Sequence, residues 1–277
     1  MRSERIVATS ILCLVLVLAL INSFSTNEQL GDTISVNELV TKEYRTPTSM
    51  ADIDSLQTMV KPILYADVTF IEELSIPEAK QTFINIMVPA ILVAKYEINF
   101  QREQVLRIQA KNGVDELDST FLAPLYSTYR TNNISELLDR MKTHPTSIVL
   151  GQAAIESGWG RSRFFKEANN IFGVWSMNSY EDRIPAKFQR NGKQVFLRRY
   201  PNISASIKDY FLTIGKVNAY KAFRAARNQS NDYHVLIEKL DHYSERGMDY
   251  VADLERMIRL NGFEQYDSYQ LDPAFIN

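Results

Sequence analysis

Glu156 is the residue whose type and position most clearly suggest chemistry. It follows the largely apolar, helix-like residues 148–155 and is followed at once by a serine, a glycine and a tryptophan. A carboxyl group in the last turn of a helix lies at the negative end of the helix dipole, which disfavours its ionised form. Apolar neighbours act in the same direction. A carboxyl that keeps its proton near neutral pH is suited to general acid catalysis, for example in the cleavage of a glycosidic bond.

The residues that follow Glu156 are suited to binding a sugar. Both tryptophans of the chain, Trp159 and Trp175, lie in this segment, where their rings could stack on the apolar faces of sugar rings. Asn169 and Asn170 lie between them, and an amide pair can either hydrogen-bond sugar substituents or form a turn. We therefore predict that Trp159, Asn170 and Trp175 contact a substrate.

Two motifs resemble the signature of the bacterial glucosaminidase family. The first consists of residues 152–160 (QAAIESGWG) and 169–175 (NNIFGVW). The second consists of residues 243–251 (YSERGMDYV) and 257–262 (MIRLNG), and is similar to the branch of the family called Bax proteins. Members of the family cut peptidoglycan glycan strands. The resemblance therefore implies a mainly α, lysozyme-like α+β fold with a small β-hairpin lobe, and Glu156 as the general acid.

The hairpin departs from the family pattern at one position. Wider family members carry a second glutamate on the first hairpin strand, whereas this chain has Lys187 at the matching place. An inverting enzyme needs a second carboxylate to activate water, and a retaining enzyme needs a nucleophile. Glu245 in the second motif is our choice for this role, and Glu181 and Asp182 at the start of the hairpin remain alternatives.

A substrate-assisted reaction needs no second protein carboxylate. In that reaction the 2-acetamido group of the sugar attacks the anomeric carbon, and a hydrogen-bonding side chain orients it. Tyr220 matches a tyrosine that the family places in the site, so the resemblance implies this catalytic role for Tyr220. Tyr243 is a further candidate for lining the cleft.

The chain divides into four predicted segments. Residues 1–25 read as a signal peptide or an N-terminal anchor, because Arg2 and Arg5 precede an apolar run over residues 6–21. That run is short for a membrane span, which needs about 20 apolar residues. The predicted linker, N-terminal helical extension and catalytic domain follow in order over residues 26–56, 57–135 and 136–265.

Helices dominate the remaining predictions. An apolar core helix is expected from Pro77 to about Lys111, kinked at Pro89 and ended at Asn112. The helix that carries Glu156 begins at Pro145. Further helices are predicted near residues 116–130, 134–143, 203–215, 218–228, 232–241 and 247–261. A β-hairpin with an Asn191-Gly192 turn is predicted over residues 185–200. Short β-type runs, such as residues 66–71, are predicted within about residues 57–75.

Composition narrows the function classes. The charge is almost balanced, with 31 basic against 33 acidic side chains, so no nucleic-acid partner is expected. Three scattered histidines and one cysteine give no metal-ligand spacing, and we predict no metal or cofactor. The favoured function is an exported glycosidase of the endo-beta-N-acetylglucosaminidase type that acts on peptidoglycan in the periplasm or cell envelope. A muramidase, a lytic transglycosylase, or a non-catalytic glycan-binding or regulatory protein are the alternatives.

Overall fold

The computed structural model describes residues 39–111, 113–190 and 192–277. The described residues are mainly helical and carry one β-hairpin, as the sequence predicts. The predicted signal or anchor at residues 1–25, including the apolar run at 6–21, lies outside the described residues. So do Asn112 and Asn191, the predicted helix end and the first turn residue of the hairpin.

The long helix α1 (Ile76–Ala110) forms the centre of the core. Pro77 occupies its first turn, and the carboxylate of Glu78 accepts a hydrogen bond from the backbone N–H of Ser75, as in a capping box. The helix is long and apolar enough to cross a membrane, but 78% of its most apolar window is buried in the protein. The prediction of a core helix over this segment is therefore confirmed.

The remaining helices are shorter than α1. Most of them lie at the predicted positions. Two predicted helices are each part 3-10 helix, at Asn218–Tyr220 and Glu238–Leu240, and one short helix was not predicted. The helices are α2 (Glu116–Tyr129), α3 (Ile134–Met141), α4 (Thr146–Ser157), the unpredicted α5 (Arg163–Ala168), α6 (Ile203–Lys216), α7 (Lys221–Gln229), α8 (Tyr233–Ile237) and α9 (Met248–Asn261).

Three two-stranded sheets complete the fold. The strands are β1 (Glu43–Arg45), β2 (Met59–Val60), β3 (Ile63–Tyr65), β4 (Arg183–Arg190), β5 (Lys193–Arg198) and β6 (Gln270–Leu271). The antiparallel pair β4–β5 is the predicted hairpin, and it has its own small core of Ala186, Val195 and Leu197. The parallel pairs β1–β3 and β2–β6 join the first described residues to each other and to the C-terminal segment.

The predicted β-type run at residues 66–71 is wrong. The strand lies just before it, at Ile63–Tyr65, where all three side chains are buried. Asp67 has a positive φ of 53° and ends the extended backbone, and Phe70–Glu73 forms a 3-10 helix. The predicted domain boundaries stay predictions, and residues 40–56 of the predicted linker lie in the same compact unit as the rest of Val40–Asn277.

Candidate active site

Helix α4 positions Glu156 in its last turn. The carboxylate of Asp267 accepts hydrogen bonds from the backbone N–H and the hydroxyl of Ser147, both at 2.7 Å, and so caps the first turn of the helix. Gly158 ends the helix in the left-handed conformation, with φ 57°. Helix α4, which carries Glu156, is therefore capped at both of its ends.

Glu156 is accessible to solvent and yet closely surrounded by protein on its other sides. Its side chain is exposed, while the hydroxyl of Tyr250 donates a hydrogen bond to its Oε1 at 3.1 Å. Burial against neighbouring groups raises the pKa of Glu156, and the hydrogen bond from Tyr250 opposes this rise. The net direction of the pKa shift is the one a general acid requires, and the open side leaves room for a substrate oxygen.

Tyrosines form the wall next to Glu156. Tyr243 stacks on Tyr250 with ring centroids 5.3 Å apart, and Tyr220 lies 6.1 Å from Tyr243 by the same measure. Burial, followed by the nearby charge of Glu156, raises the pKa of Tyr220. The structure thus brings Glu156, Tyr220 and Tyr243 together. Tyr250 was not singled out from the sequence, although it lies within the second motif.

The candidate second carboxylates lie in different settings. Glu245 is exposed and lines a shallow cavity with Tyr243, but none of the described hydrogen bonds or ion pairs joins it to Glu156. Glu181 forms an ion pair with Arg198 at 3.1 Å, and Asp182 one with Arg199 at 3.5 Å. These pairs give Glu181 and Asp182 a role at the base of the hairpin.

Trp159 is half-buried and its ring packs against the core. Its ring makes edge contacts with Phe83 at 5.7 Å and with Phe263 at 5.9 Å between centroids. The amino group of Lys80 lies 4.6 Å from the ring centroid. Because these groups surround the ring, the predicted stacking of Trp159 on a sugar is disfavoured, and its role is to anchor the turn after α4 to the core.

Asn170 also has a structural role. It is completely buried, and its amide nitrogen donates to the carbonyls of Val174 and Arg198 while its oxygen accepts from the backbone N–H of Val174. These bonds occupy the amide, so the predicted contact between Asn170 and a substrate is disfavoured. Trp175 follows this loop and is 39% exposed, so it keeps its place as the candidate for sugar stacking.

The described residues include no group of three or more His, Cys, Asp or Glu side chains that could hold a metal ion.

Comparisons with known proteins agree with the motifs. Residues 131–263 match the glucosaminidase family model, which is described as mannosyl-glycoprotein endo-beta-N-acetylglucosaminidase. This match and the two motifs support assignment of residues 131–263 to the bacterial glucosaminidase family. Protein bax of Escherichia coli (strain K12) is 28% identical over 185 residues, which supports the Bax branch of that family. The match covers 62% of this chain and 65% of the length of Protein bax.

Solved structures with some similarity include three bacterial domains. The catalytic domain of the autolysin Auto from Listeria monocytogenes is 19% identical, with a TM-score of 0.39, and the match covers 60% of this chain and 97% of that one. The glycoside hydrolase domain of FlgJ from Salmonella typhimurium is 24% identical, with a TM-score of 0.36 and coverages of 53% and 90%. The peptidoglycan hydrolase of Sphingomonas sp. A1 is 20% identical, with a TM-score of 0.36 and coverages of 52% and 85%.

Within the glucosaminidase domain, the hairpin keeps the departure noted in the sequence. Lys187 lies on β4 with its side chain exposed. The carboxylates nearest to it in sequence, Glu181 and Asp182, are the two that pair with arginines. Strand β4 itself therefore carries no second carboxylate that could act with Glu156.

Proposed function

We propose that this glucosaminidase-family protein hydrolyses glycan strands of peptidoglycan, cleaving β-1,4 bonds that involve N-acetylglucosamine. The observation that carries the proposal is the Glu156 carboxyl, which is open to solvent on one side, has a raised pKa, and accepts a hydrogen bond from Tyr250. Such a carboxyl is equipped to protonate the leaving oxygen of a glycosidic bond.

The partner of the acid is proposed to be the acetamido group of the substrate. Burial and the nearby charge of Glu156 raise the pKa of the Tyr220 hydroxyl, and this proximity supports a site in which both groups contact one reacting sugar. Tyr220 would orient the acetamido group for attack on the anomeric carbon while Glu156 delivers its proton. Glu245 keeps its predicted role as the alternative, in which a protein carboxylate activates water or acts as the nucleophile.

The remaining parts of the proposal concern substrate contact and location. The exposed ring of Trp175 lies where the Asn170 loop meets the hairpin, and we assign it to stacking on a sugar next to the scissile bond. Peptidoglycan lies outside the cytoplasmic membrane, so the protein is proposed to be exported to the periplasm or cell envelope. The apolar residues 6–21 would serve as its signal or its membrane anchor.

A non-catalytic glycan-binding or regulatory protein is the second candidate function. It is favoured by Lys187, an exposed cation on the strand where wider family members carry a glutamate. A binding protein would hold the glycan without releasing new chain ends.

Incubation of the purified protein with purified peptidoglycan tests the proposal. The wild-type protein should release new reducing ends, and mass spectrometry should identify N-acetylglucosamine as the new reducing sugar. Glu156→Gln should lower turnover by orders of magnitude and keep glycan binding, whereas Glu255→Gln, at an exposed position on α9, should retain full activity. N-acetylmuramic acid at the new ends, or its anhydro form, would indicate a muramidase or a lytic transglycosylase.

Variants of the proposed partner groups separate the mechanisms. The substrate-assisted route predicts a large loss of turnover in Tyr220→Phe and little loss in Glu245→Gln. The reverse order would assign the second role to Glu245. Glycan binding without any release of ends by the wild-type protein would establish the second candidate function instead.

A further inference from the structure

A continuous string of hydrogen bonds leads from Glu156 into the protein interior. His144 Nε2 lies 2.8 Å from the hydroxyl of Tyr210, which donates to Gln152 Oε1 at 2.6 Å. Gln152 Nε2 donates to the hydroxyl of Tyr250 at 3.1 Å, and that hydroxyl donates to Glu156 Oε1 at 3.1 Å. The first four members are buried, and only Glu156 reaches solvent.

The donors in this string all point towards Glu156. A tyrosine hydroxyl has one proton, and Tyr210 gives its proton to Gln152, so the bond between His144 and Tyr210 requires a proton on His144 Nε2. The amide of Gln152 accepts through its oxygen and donates through its nitrogen, which fixes its orientation. Tyr250 then has its own proton free for Glu156. Each link therefore determines the direction of the next.

His144 is suited to be the first donor of the string, because its protonation state is fixed. Burial, together with the positive charges of Arg227 and Lys95, holds the pKa of His144 well below its usual range, so the ring is neutral. Its Nδ1 is buried with no hydrogen-bond partner among the described residues, so a second proton there would have no acceptor. The neutral ring with its proton on Nε2 is the form that the string needs.

Four segments of the chain meet in this string. His144 precedes α4, Gln152 lies on α4, Tyr210 on α6 and Tyr250 on α9. The tyrosine rings are held by stacking, Tyr210 on Phe172 with centroids 4.5 Å apart and Tyr250 on Tyr243 at 5.3 Å. Because the rings are held in place, their hydroxyls have little freedom to leave the string.

We propose that His144, Tyr210 and Gln152 are positioning residues that hold the Tyr250 hydroxyl on Oε1 of Glu156 and so reserve Oε2 for the proton delivered to the substrate. This inference rests on the proposed role of Glu156 as the acid. A carboxyl that accepts a fixed hydrogen bond on one oxygen cannot rotate freely, and its proton faces the open side. Orientation of this kind contributes substantially to catalysis, since a misplacement of about 1 Å can cost about 100-fold in rate.

Tyr210→Phe is the variant that tests the string, because it removes two of its bonds without touching Glu156. We expect kcat to fall about 10-fold or more with little change in KM. We also expect the alkaline limb of the pH–rate profile to move to higher pH, because a weaker hydrogen bond from Tyr250 stabilises ionised Glu156 less. Tyr250→Phe should shift the limb in the same direction and further.

Tyr233→Phe is the matched control. The hydroxyl of Tyr233, also a buried tyrosine, hydrogen-bonds a glutamate, Glu264, at 3.0 Å, and this bond is not part of the string. Equal changes in kcat and in the alkaline limb for Tyr210→Phe and Tyr233→Phe would overturn the inference. So would an unchanged profile in Tyr250→Phe.

A titration that does not depend on turnover separates this inference from the proposed function. In protein labelled with ¹³C at the glutamate carboxyls, the Glu156 signal is identified by its loss in Glu156→Gln. Its titration should move to higher pH in Tyr210→Phe and Tyr250→Phe and stay unchanged in Tyr233→Phe. If the titration shifts while the wild-type protein releases no glycan ends, the string stands and the hydrolase proposal fails; if hydrolysis occurs and no shift appears, the string fails alone.

Discussion

Gly151→Ala should disturb both the packing of α4 on α9 and the geometry of Glu156. Gly151 lies in the middle of α4, where the helix approaches α9 closely. A methyl group built at this position would lie 2.8 Å from Leu254 Cδ1 and 3.0 Å from Ile258 Cγ1. Ordinary contacts between carbon atoms are about 3.5–4.0 Å, so the helices or the side chains must move by up to about 1 Å.

The sign of the stability change follows from two opposing effects. Replacing glycine by alanine inside a helix gains about 1 kcal/mol of helix propensity. Overpacking a filled core costs about 1–3 kcal/mol, and Leu254 and Ile258 are both completely buried, which leaves them no space to rotate into. We therefore expect a net loss of up to about 2 kcal/mol in the free energy of unfolding.

The same displacement should reach the active site. Tyr250 lies one helical turn before Leu254 on α9, so a shift of α9 changes the hydrogen bond between Tyr250 and Glu156. Turnover on peptidoglycan should therefore fall in Gly151→Ala under conditions where the variant is still fully folded.

A double-mutant cycle measured by urea unfolding tests this reasoning. Leu254→Ala removes the atom that the new methyl group would meet, and alone it should cost about 2–5 kcal/mol. In the double variant, Gly151→Ala should no longer be costly, so the total loss should be smaller than the sum of the single losses by about 1 kcal/mol or more. Stabilisation by Gly151→Ala alone, with additive free energies in the cycle, would refute the close-packing argument.

Three further predictions concern single side chains. Asn170→Ala should lower the free energy of unfolding by about 2–4 kcal/mol in urea titrations, because the backbone groups of its three hydrogen bonds lose their partner; unchanged stability with weaker glycan binding would restore its role in substrate contact. Asp267→Ala should cost about 1–2 kcal/mol in the same assay by uncapping Ser147 at the start of α4. The raised pKa of Glu156 means that the folded protein prefers the protonated form, so this stabilising contribution is present below the unfolded pKa and is lost as the pH rises through the folded value. Glu156→Gln should accordingly be more stable than the wild-type protein at pH 7, with the difference shrinking towards about pH 4; a constant difference would contradict this.

Local signals were sufficient to predict the elements that carry the site. The long helix α1 was predictable because Pro77 marks its first turn and a largely apolar stretch follows over residues 83–94. Helix α4 could be placed from Pro145 for similar reasons, and the hairpin from its Asn191-Gly192 turn. These signals act over a few residues, so the sequence alone contains them.

Contacts between residues far apart in the sequence explain why the surroundings of some predicted site residues could not be foreseen. Trp159 has a positive φ of 59° and turns its ring towards Phe83 and Phe263, which belong to α1 and to the segment after α9. Nothing in the residues around Trp159 shows that these partners are nearby. The internal hydrogen bonds of Asn170 could not be foreseen, because an amide that joins a loop to a strand looks, in sequence, like one that binds a ligand. The pairing of β2 with β6 depends likewise on how the whole chain folds.

The structure also shows how an accessible carboxyl can have a raised pKa. Exposure to water alone would favour the ionised form of Glu156, and complete burial would hold the proton but exclude the substrate. Glu156 meets both demands because tyrosines surround it on one side and solvent reaches it on the other. The hydrogen bond from Tyr250 partly opposes the rise in the pKa of Glu156, and it gives the carboxyl a defined orientation. Gln152, which holds the Tyr250 hydroxyl, lies on the same helix as Glu156, so α4 supplies both the carboxyl and the amide that positions its hydrogen-bond donor.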